Sequence, residues 1–287
     1  MRIAIYGSRR QLPYKDSIQS LLRRLSLAGA EIYMAHKLYT HLAGDLALNL
    51  SAVTLAGSDF RSLPHIDMAL SIGGDGTFLR TAAWVADTGT PILGINTGHL
   101  GYLAPLPVAD APAFVDNILA GNYTVEHRSL LQVTEPATRG WHCALNEVVL
   151  AKDDSASLIT AETLLDSRPL ATYKADGLII ATPTGSTAYN LSAGGPIIQP
   201  TAPVWVLSPI AAHSLGMRPL VVSDDTVLRI TVSGRGHTFR LTLDGRSTTL
   251  PMGTQVTVRR APFTTGVVQP LGTGFPAVLR TKLMFNA

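Results

Sequence analysis

The stretch LSIGGDGTFLR, residues 70–80, ends an apolar run on three glycines and an aspartate and then takes up helical spacing. A glycine-rich turn between a strand and a helix lets backbone N–H groups approach a ligand closely, and phosphate is the usual one. An acid inside such a turn repels phosphate unless it holds a metal ion or a hydroxyl proton. The combination therefore points to phosphoryl transfer, which needs mainly positioning and charge neutralisation. The structural alternative is a plain turn in which Asp75 caps the helix and Thr77 lies in its first turn.

Outward from this turn, strand and helix patterns alternate. RIAIYG (2–7) reads as a buried strand and KDSIQSLLRRLSLAGAEI (15–32) as a helix ending near Gly29. EIYMAH, HIDMALSIGG and TPILGINTG read as further strands, and FLRTAAWVADTG and VADAPAFVDNILAGN as helices. Such alternation predicts a parallel sheet covered on both faces, with ligands at the carboxyl ends of its strands. From about residue 122 the texture changes to strand-like runs, among them YTVEHRSLLQVT, HCALNEVVLAK and TVLRITVSGRGHTFRLTLDGR. The expected fold is a doubly wound, Rossmann-like α/β domain over residues 1–121 and a β-rich, β-sandwich-like domain over 122–270. The tail, 271–287, is expected to return to the first domain.

Composition bounds the function. Of 287 residues 46% are hydrophobic and only 15% charged, so a substantial core is expected and disorder is not. The 23 basic and 20 acidic residues leave a net charge of +3 with no long run of one sign, which argues against a nucleic-acid binder. The one cysteine, Cys143, excludes an intrachain disulfide and a cysteine zinc cluster, and reads as a small buried hydrophobe. The opening MRIAIYGSRR has too short an apolar run for a signal peptide. PVWVLSPIAAHSLGMRPLVV (203–222) is broken by prolines, His213 and Arg218, so no membrane segment is expected, and a cytoplasmic location is. His213 and His237 lack partners at metal-ligand spacing, so no structural metal is expected.

The turn is not a P-loop, since G-x-x-x-x-G-K-[ST] is absent, and GGDGTF lacks the dinucleotide spacing G-x-G-x-x-G. Three other stretches bear on it. NTGHLGYL (96–103) is a second glycine-rich turn after a strand, in which His99 reads as a structural residue. LNEVVLAK (145–152) sets Asn146 beside Glu147, and KADGLIIATPTGSTAYNLSAGGP (174–196) crowds hydroxyl and amide side chains into one short region. Such groups are ordinary turn chemistry, and they also hydrogen-bond ribose hydroxyls and adenine edges.

Together the four stretches resemble the NAD kinases, which phosphorylate NAD to NADP with ATP, over nearly the whole chain to about residue 250. GGDGT alone is shared with diacylglycerol and sphingosine kinases and phosphofructokinases; TPTGSTAYN narrows the match. The resemblance implies that Asp75 contacts the 2′-hydroxyl of the adenosine ribose and acts as its base, with Gly73, Gly74 and Gly76 shaping the phosphate-facing backbone. It implies that Asn146 and Glu147 hold NAD, and that Asp176, Thr184, Thr187, Ala188 and Tyr189 line the adenosine pocket. Thr184 stands where many relatives have serine and keeps the hydroxyl. Asp244, in LTLDGR, falls where the family has another NAD-contacting aspartate. The resemblance also implies ATP as donor, Mg²⁺ carried with it, and a homo-oligomer, either a dimer or a tetramer.

Arg9 and Arg10, after the first strand, and Arg80, in the helix behind the turn, are candidates for the donor phosphates; a solvated loop is the alternative for the first two. Lys174 is suited to a phosphate, or to pairing with Asp176 or Asp166. A lipid or sugar kinase with the same turn would need another acceptor pocket, against TPTGSTAYN. A non-catalytic dinucleotide sensor would be expected to alter Asp75 or break the turn, and a dehydrogenase to carry G-x-G-x-x-G.

Overall fold

The structure, a computed structural model, describes residues 1–8, 12–98, 101–137, 140–153 and 157–282. The chain forms two compact units, Met1–His127 with Thr265–Ala287, and Arg128–Thr264. The composition change at residue 122 marks where helices stop, at the end of an α-helix. The contacts divide later, inside a long strand, because a strand can serve two cores along its length.

The first unit is α/β, as expected. Its elements are β1 (Arg2–Gly7), α1 (Lys15–Leu27), β2 (Glu31–Ala35), α2 (His36–Thr40) and β3 (Val53–Ala56), then β4 (Met68–Ile72), α3 (Asp75–Val85), β5 (Ile92–Asn96), β6 (Leu106–Pro107) and α4 (Ala111–Ala120). Five strands run parallel in the order β5-β4-β1-β2-β3. Every residue of β4 and β5 is buried, the pattern of strands covered on both faces. In α1 the buried residues are Ile18, Leu21, Leu22 and Leu25, one apolar stripe at helical spacing. The chain runs from β1 through β2 to β3 on one side, then returns to place β4 on the other side of β1. The topological switch point of the sheet thus lies at the carboxyl ends of β1 and β4, where GGDGT begins.

The second unit is built almost wholly of strands. After β7 (Tyr123–Glu135) come β8 (Cys143–Ala144), β9 (Glu147–Lys152), β10 (Ile159–Leu165), β11 (Arg168–Ala175) and β12 (Gly177–Ala181). A 3₁₀ turn (Thr184–Thr187) and the one-turn α5 (Tyr189–Ser192) follow, then β13 (Val204–Ile210), β14 (Leu220–Ser223) and β15 (Leu228–Gly234). The hairpin β16 (Thr238–Leu243) and β17 (Arg246–Pro251) leads into β18 (Gln255–Pro270). One sheet has the order β14-β13-β12-β9-β16-β17, and β11-β10-β15-β18 form part of another. Alternate residues point inward, as in β15 and β16. Leu150, Ile180, Trp205 and Leu241 from the first sheet share a core with Ile159, Ala161, Ile230 and Val256 from the second. That is the expected sandwich. Helix α6 (Phe275–Lys282) groups with the first unit. Among the described residues no helix is long and apolar enough to cross a membrane.

Candidate active site

In the first unit, Gly73 ends β4 and Asp75 opens α3, whose N-cap position, Gly74, carries no side-chain cap. The leading N–H groups of the helix are therefore available to an anion. Gly73 is required by packing, since a Cβ there would meet the Thr77 hydroxyl. Thr77 is buried, and its carbonyl accepts from Thr81 Oγ1 at 3.0 Å, which ties the first helical turn down. Asp75 does not cap its own helix. Its Oδ2 accepts from the backbone N–H of Tyr102 at 2.9 Å and its Oδ1 from that of Leu103 at 3.0 Å. The second glycine turn thus aims the carboxylate of the first, and about two of its four acceptor positions remain for another donor. Asn96 shapes that second turn by accepting from Gly98 N at 2.7 Å. Arg80 is exposed and donates from Nη2 to Thr77 Oγ1 at 3.1 Å. Arg9, Arg10 and His99 lie outside the described residues.

In the second unit the hairpin turn between β16 and β17 brings Asp244 to Asn146 and Glu147. Asp244 and Gly245 have φ of 45° and 78°, the two positive values of a tight Asp-Gly hairpin turn. The Asp244 carboxylate accepts from three backbone amides: Leu145 at 2.7 Å, Asn146 at 2.8 Å and Glu147 at 3.2 Å. Arg246 secures the same segment, donating to the carbonyls of Trp141 at 3.0 Å and Cys143 at 2.7 Å. Burial pushes the Asp244 carboxyl up, opposed by the amides and by Arg246. What this turn offers to a ligand is therefore Asn146 and Glu147, while both oxygens of Asp244 are engaged by the protein.

Asn146 Oδ1 and Glu147 Oε2 are buried acceptors without a hydrogen-bond partner among the described residues. Two adjacent unmet acceptors are costly unless a ligand brings donors to them. Burial, and then the charge of Asp244, push the Glu147 carboxyl up to about 7; the Tyr189 backbone amide pulls the other way. The TPTGSTAYN segment packs directly on this pair. A Cβ on Gly185 would meet the Asn146 carbonyl, and that carbonyl accepts from Thr182 N at 2.9 Å. Thr187 Oγ1 donates to the Thr184 carbonyl at 3.4 Å, Ala188 N to that of Gly185 at 2.9 Å, and the Tyr189 ring is 45% exposed. Ser186 and Asn190 are internal braces: Asn190 donates to Ser186 and Pro196 and accepts from Ser208 at 2.6 Å.

Asp176 pairs with Lys152, Nζ to Oδ1 2.7 Å, rather than with Lys174. Lys174 is exposed on β11 and lines a cleft with Ser157, Thr160, Ser233 and Arg235. Sequence reasoning missed Arg128, a buried cation whose Nη1 donates to Thr184 Oγ1 at 3.3 Å. It lies far from the motif in sequence, and nothing near it signals the contact. Gly101 and Gly185 were within quoted motifs, but only the packing shows that each gives room to a site residue.

Two family models match the chain: the ATP-NAD kinase N-terminal domain over residues 12–123 and the ATP-NAD kinase C-terminal domain over 145–269. Fold and motifs together define a two-domain phosphotransferase. Among curated relatives, the NAD kinase of Porphyromonas gingivalis is 43% identical over 287 residues, covering 100% of this chain and 98% of its own. The chain belongs to the NAD kinase family. Yeast NADH kinase complexed with NADH superposes with a TM-score of 0.88 at 23% identity, over 100% of this chain and 88% of that one, a likeness of fold. An NAD kinase from Archaeoglobus fulgidus in complex with ATP gives 0.73 at 25% identity over 94% of each chain.

Proposed function

We propose that this chain transfers the γ-phosphoryl group of ATP to the 2′-hydroxyl of the adenosine ribose of NAD, giving NADP, with Asp75 as the group that positions and deprotonates the acceptor hydroxyl. The observation that carries this reading is the Asp75 carboxylate, held by the Tyr102 and Leu103 amides at the uncapped start of α3. An acceptor oxygen fixed in direction can take a hydroxyl proton while the neighbouring helix N–H groups, with Gly73, Gly74 and Gly76, meet phosphate oxygens. A loose phosphoryl-transfer transition state asks little of the base, so geometry counts for more than basicity.

The NAD-binding role falls to Asn146 and Glu147, whose unmet acceptors suit the amino and hydroxyl donors of an adenosine. Thr184, Thr187, Ala188 and Tyr189 supply the adjoining wall, and Asp176 and Lys174 polar contacts. Asp244 acts by holding Asn146 and Glu147 in place. Arg9, Arg10 and Arg80 are the phosphate candidates. Mg²⁺ would arrive on the ATP phosphates, where it neutralises charge and needs only one or two protein carboxylates, a role for which the half-exposed Asp75 is suited. The enzyme is proposed to be cytoplasmic and a homo-oligomer, a dimer or a tetramer, which light scattering tests.

The test is NADP formation from NAD, ATP and Mg²⁺ by wild type and Asp75→Asn. A fall of several orders of magnitude in a folded variant supports both the reaction and the role of Asp75. A wild type that binds NAD and forms no NADP would overturn the kinase reading, and an active Asp75→Asn would remove only the proposed base.

A further inference from the structure

Within the first unit, a cavity of about 430 Å³ opens at the carboxyl ends of three neighbouring strands. Tyr6 of β1 and Ala35 of β2 line it, and Gly57 and Ser58 follow directly on β3. Its apolar wall is aromatic. The Trp84 ring lies 5.5 Å from that of Tyr6 at 43°, and is fixed from behind by Phe60, edge-on at 4.8 Å and 83°. Around the opening stand three exposed cationic or protonatable side chains, His36, Lys37 and Arg80, and no acidic side chain is among the lining residues described. Arg80 also reaches Thr77 in the first turn of α3, so the basic rim leads toward the glycine turn.

A planar apolar wall beside a basic, acid-free rim is the chemistry of a base carrying a polyphosphate. The volume lies within the range of roughly 300–1,000 Å³ usual for small-ligand sites. The place, at strand ends beside the switch point, is where an open parallel sheet binds ligands.

We propose that this cavity holds the adenine and ribose of the phosphoryl donor ATP, stacked on the Trp84–Tyr6 wall, with Lys37 and Arg80 turned to its phosphates. The proposal rests on the kinase reading and adds to it the location of the donor. The acceptor's adenosine has its own unmet acceptors in the second unit, at Asn146 and Glu147. Trp84 and Lys37 are thus binding residues for ATP and not for NAD.

The experiment compares wild type, Trp84→Leu and Lys37→Glu by steady-state kinetics in each substrate, and by calorimetric titration with ATP in the absence of NAD. Loss of one base–aromatic stack is expected to raise the KM for ATP roughly ten-fold. The charge reversal at Lys37 raises it similarly, and the KM for NAD stays within about two-fold. If Trp84→Leu fails to fold, Lys37→Glu and Ser58→Trp, which fills the cavity from an exposed loop, carry the test. Unchanged ATP affinity in the folded variants, or a rise confined to the KM for NAD, overturns the proposal. Should the wild type form no NADP, the kinase reading fails by itself. The titration still decides the cavity: ATP binding weakened by Lys37→Glu upholds it, and equal binding overturns it.

Discussion

A side chain on Gly101 would fall on the carboxylate of Asp75. The two residues are held in this register by the amides that follow Gly101, those of Tyr102 and Leu103, which receive the two Asp75 oxygens. Gly101→Ala must therefore push the carboxylate or the turn aside. A displacement on the order of 1 Å at the reacting group costs roughly 10²-fold in rate. Stopped or steady-state assays of NADP formation should show kcat falling by about that factor with the KM for NAD little changed. A rate near that of wild type would mean that this turn does not aim Asp75.

Asp244 accepts three backbone amides while buried. Asparagine can accept with one oxygen only and presents an NH₂ group to an amide donor. Asp244→Asn should lower stability by about 1–3 kcal/mol, the cost of stranding a buried donor. It should also raise the KM for NAD, because Asn146 and Glu147 lose their support. Thermal denaturation and kinetics of the same preparation check both parts, and an unchanged melting temperature would contradict the three-amide bond set.

Glu147 supplies a pH signature. Its folded-state carboxyl lies at about 7, raised from 4.5 by burial and by Asp244. The folded state therefore holds this proton more tightly than the unfolded chain does. That contribution is complete below the unfolded value and disappears as pH rises through about 7. Relative to wild type, Glu147→Gln should gain stability on the order of 2 kcal/mol between pH 5 and pH 8. Urea midpoints at the two pH values measure this, and parallel profiles for the two proteins would place Glu147 in an ordinary solvated environment.

Much of the fold was legible because it depends on neighbours in sequence. The apolar stripe of α1, the buried runs of β4 and β5, and the alternation in β15 and β16 are each written in a few consecutive residues. The glycine turn was legible for the same reason: a strand, three glycines and a helix need only local conformations. The tight Asp-Gly turn at Asp244 belongs with these, as its backbone is set by two residues.

The partners of the polar groups were not legible. Lys152, across β9 and β12, pairs with Asp176, although Lys174 stands two residues away in sequence. Arg128 reaches Thr184 over a separation of 56 residues.

By itself the sequence determined the two kinds of domain, the order of their elements, and the residue types at the glycine turn and at Asn146–Glu147. Only the tertiary structure decided what those residues touch. Asp75 meets amides 27 and 28 residues onward, and Asp244 meets amides 97 to 99 residues earlier. Periodicity and turn preference are set by steric and solvation forces between near neighbours. Strand order and register, which bring such distant groups within 3 Å of one another, follow from how whole layers bury their apolar faces.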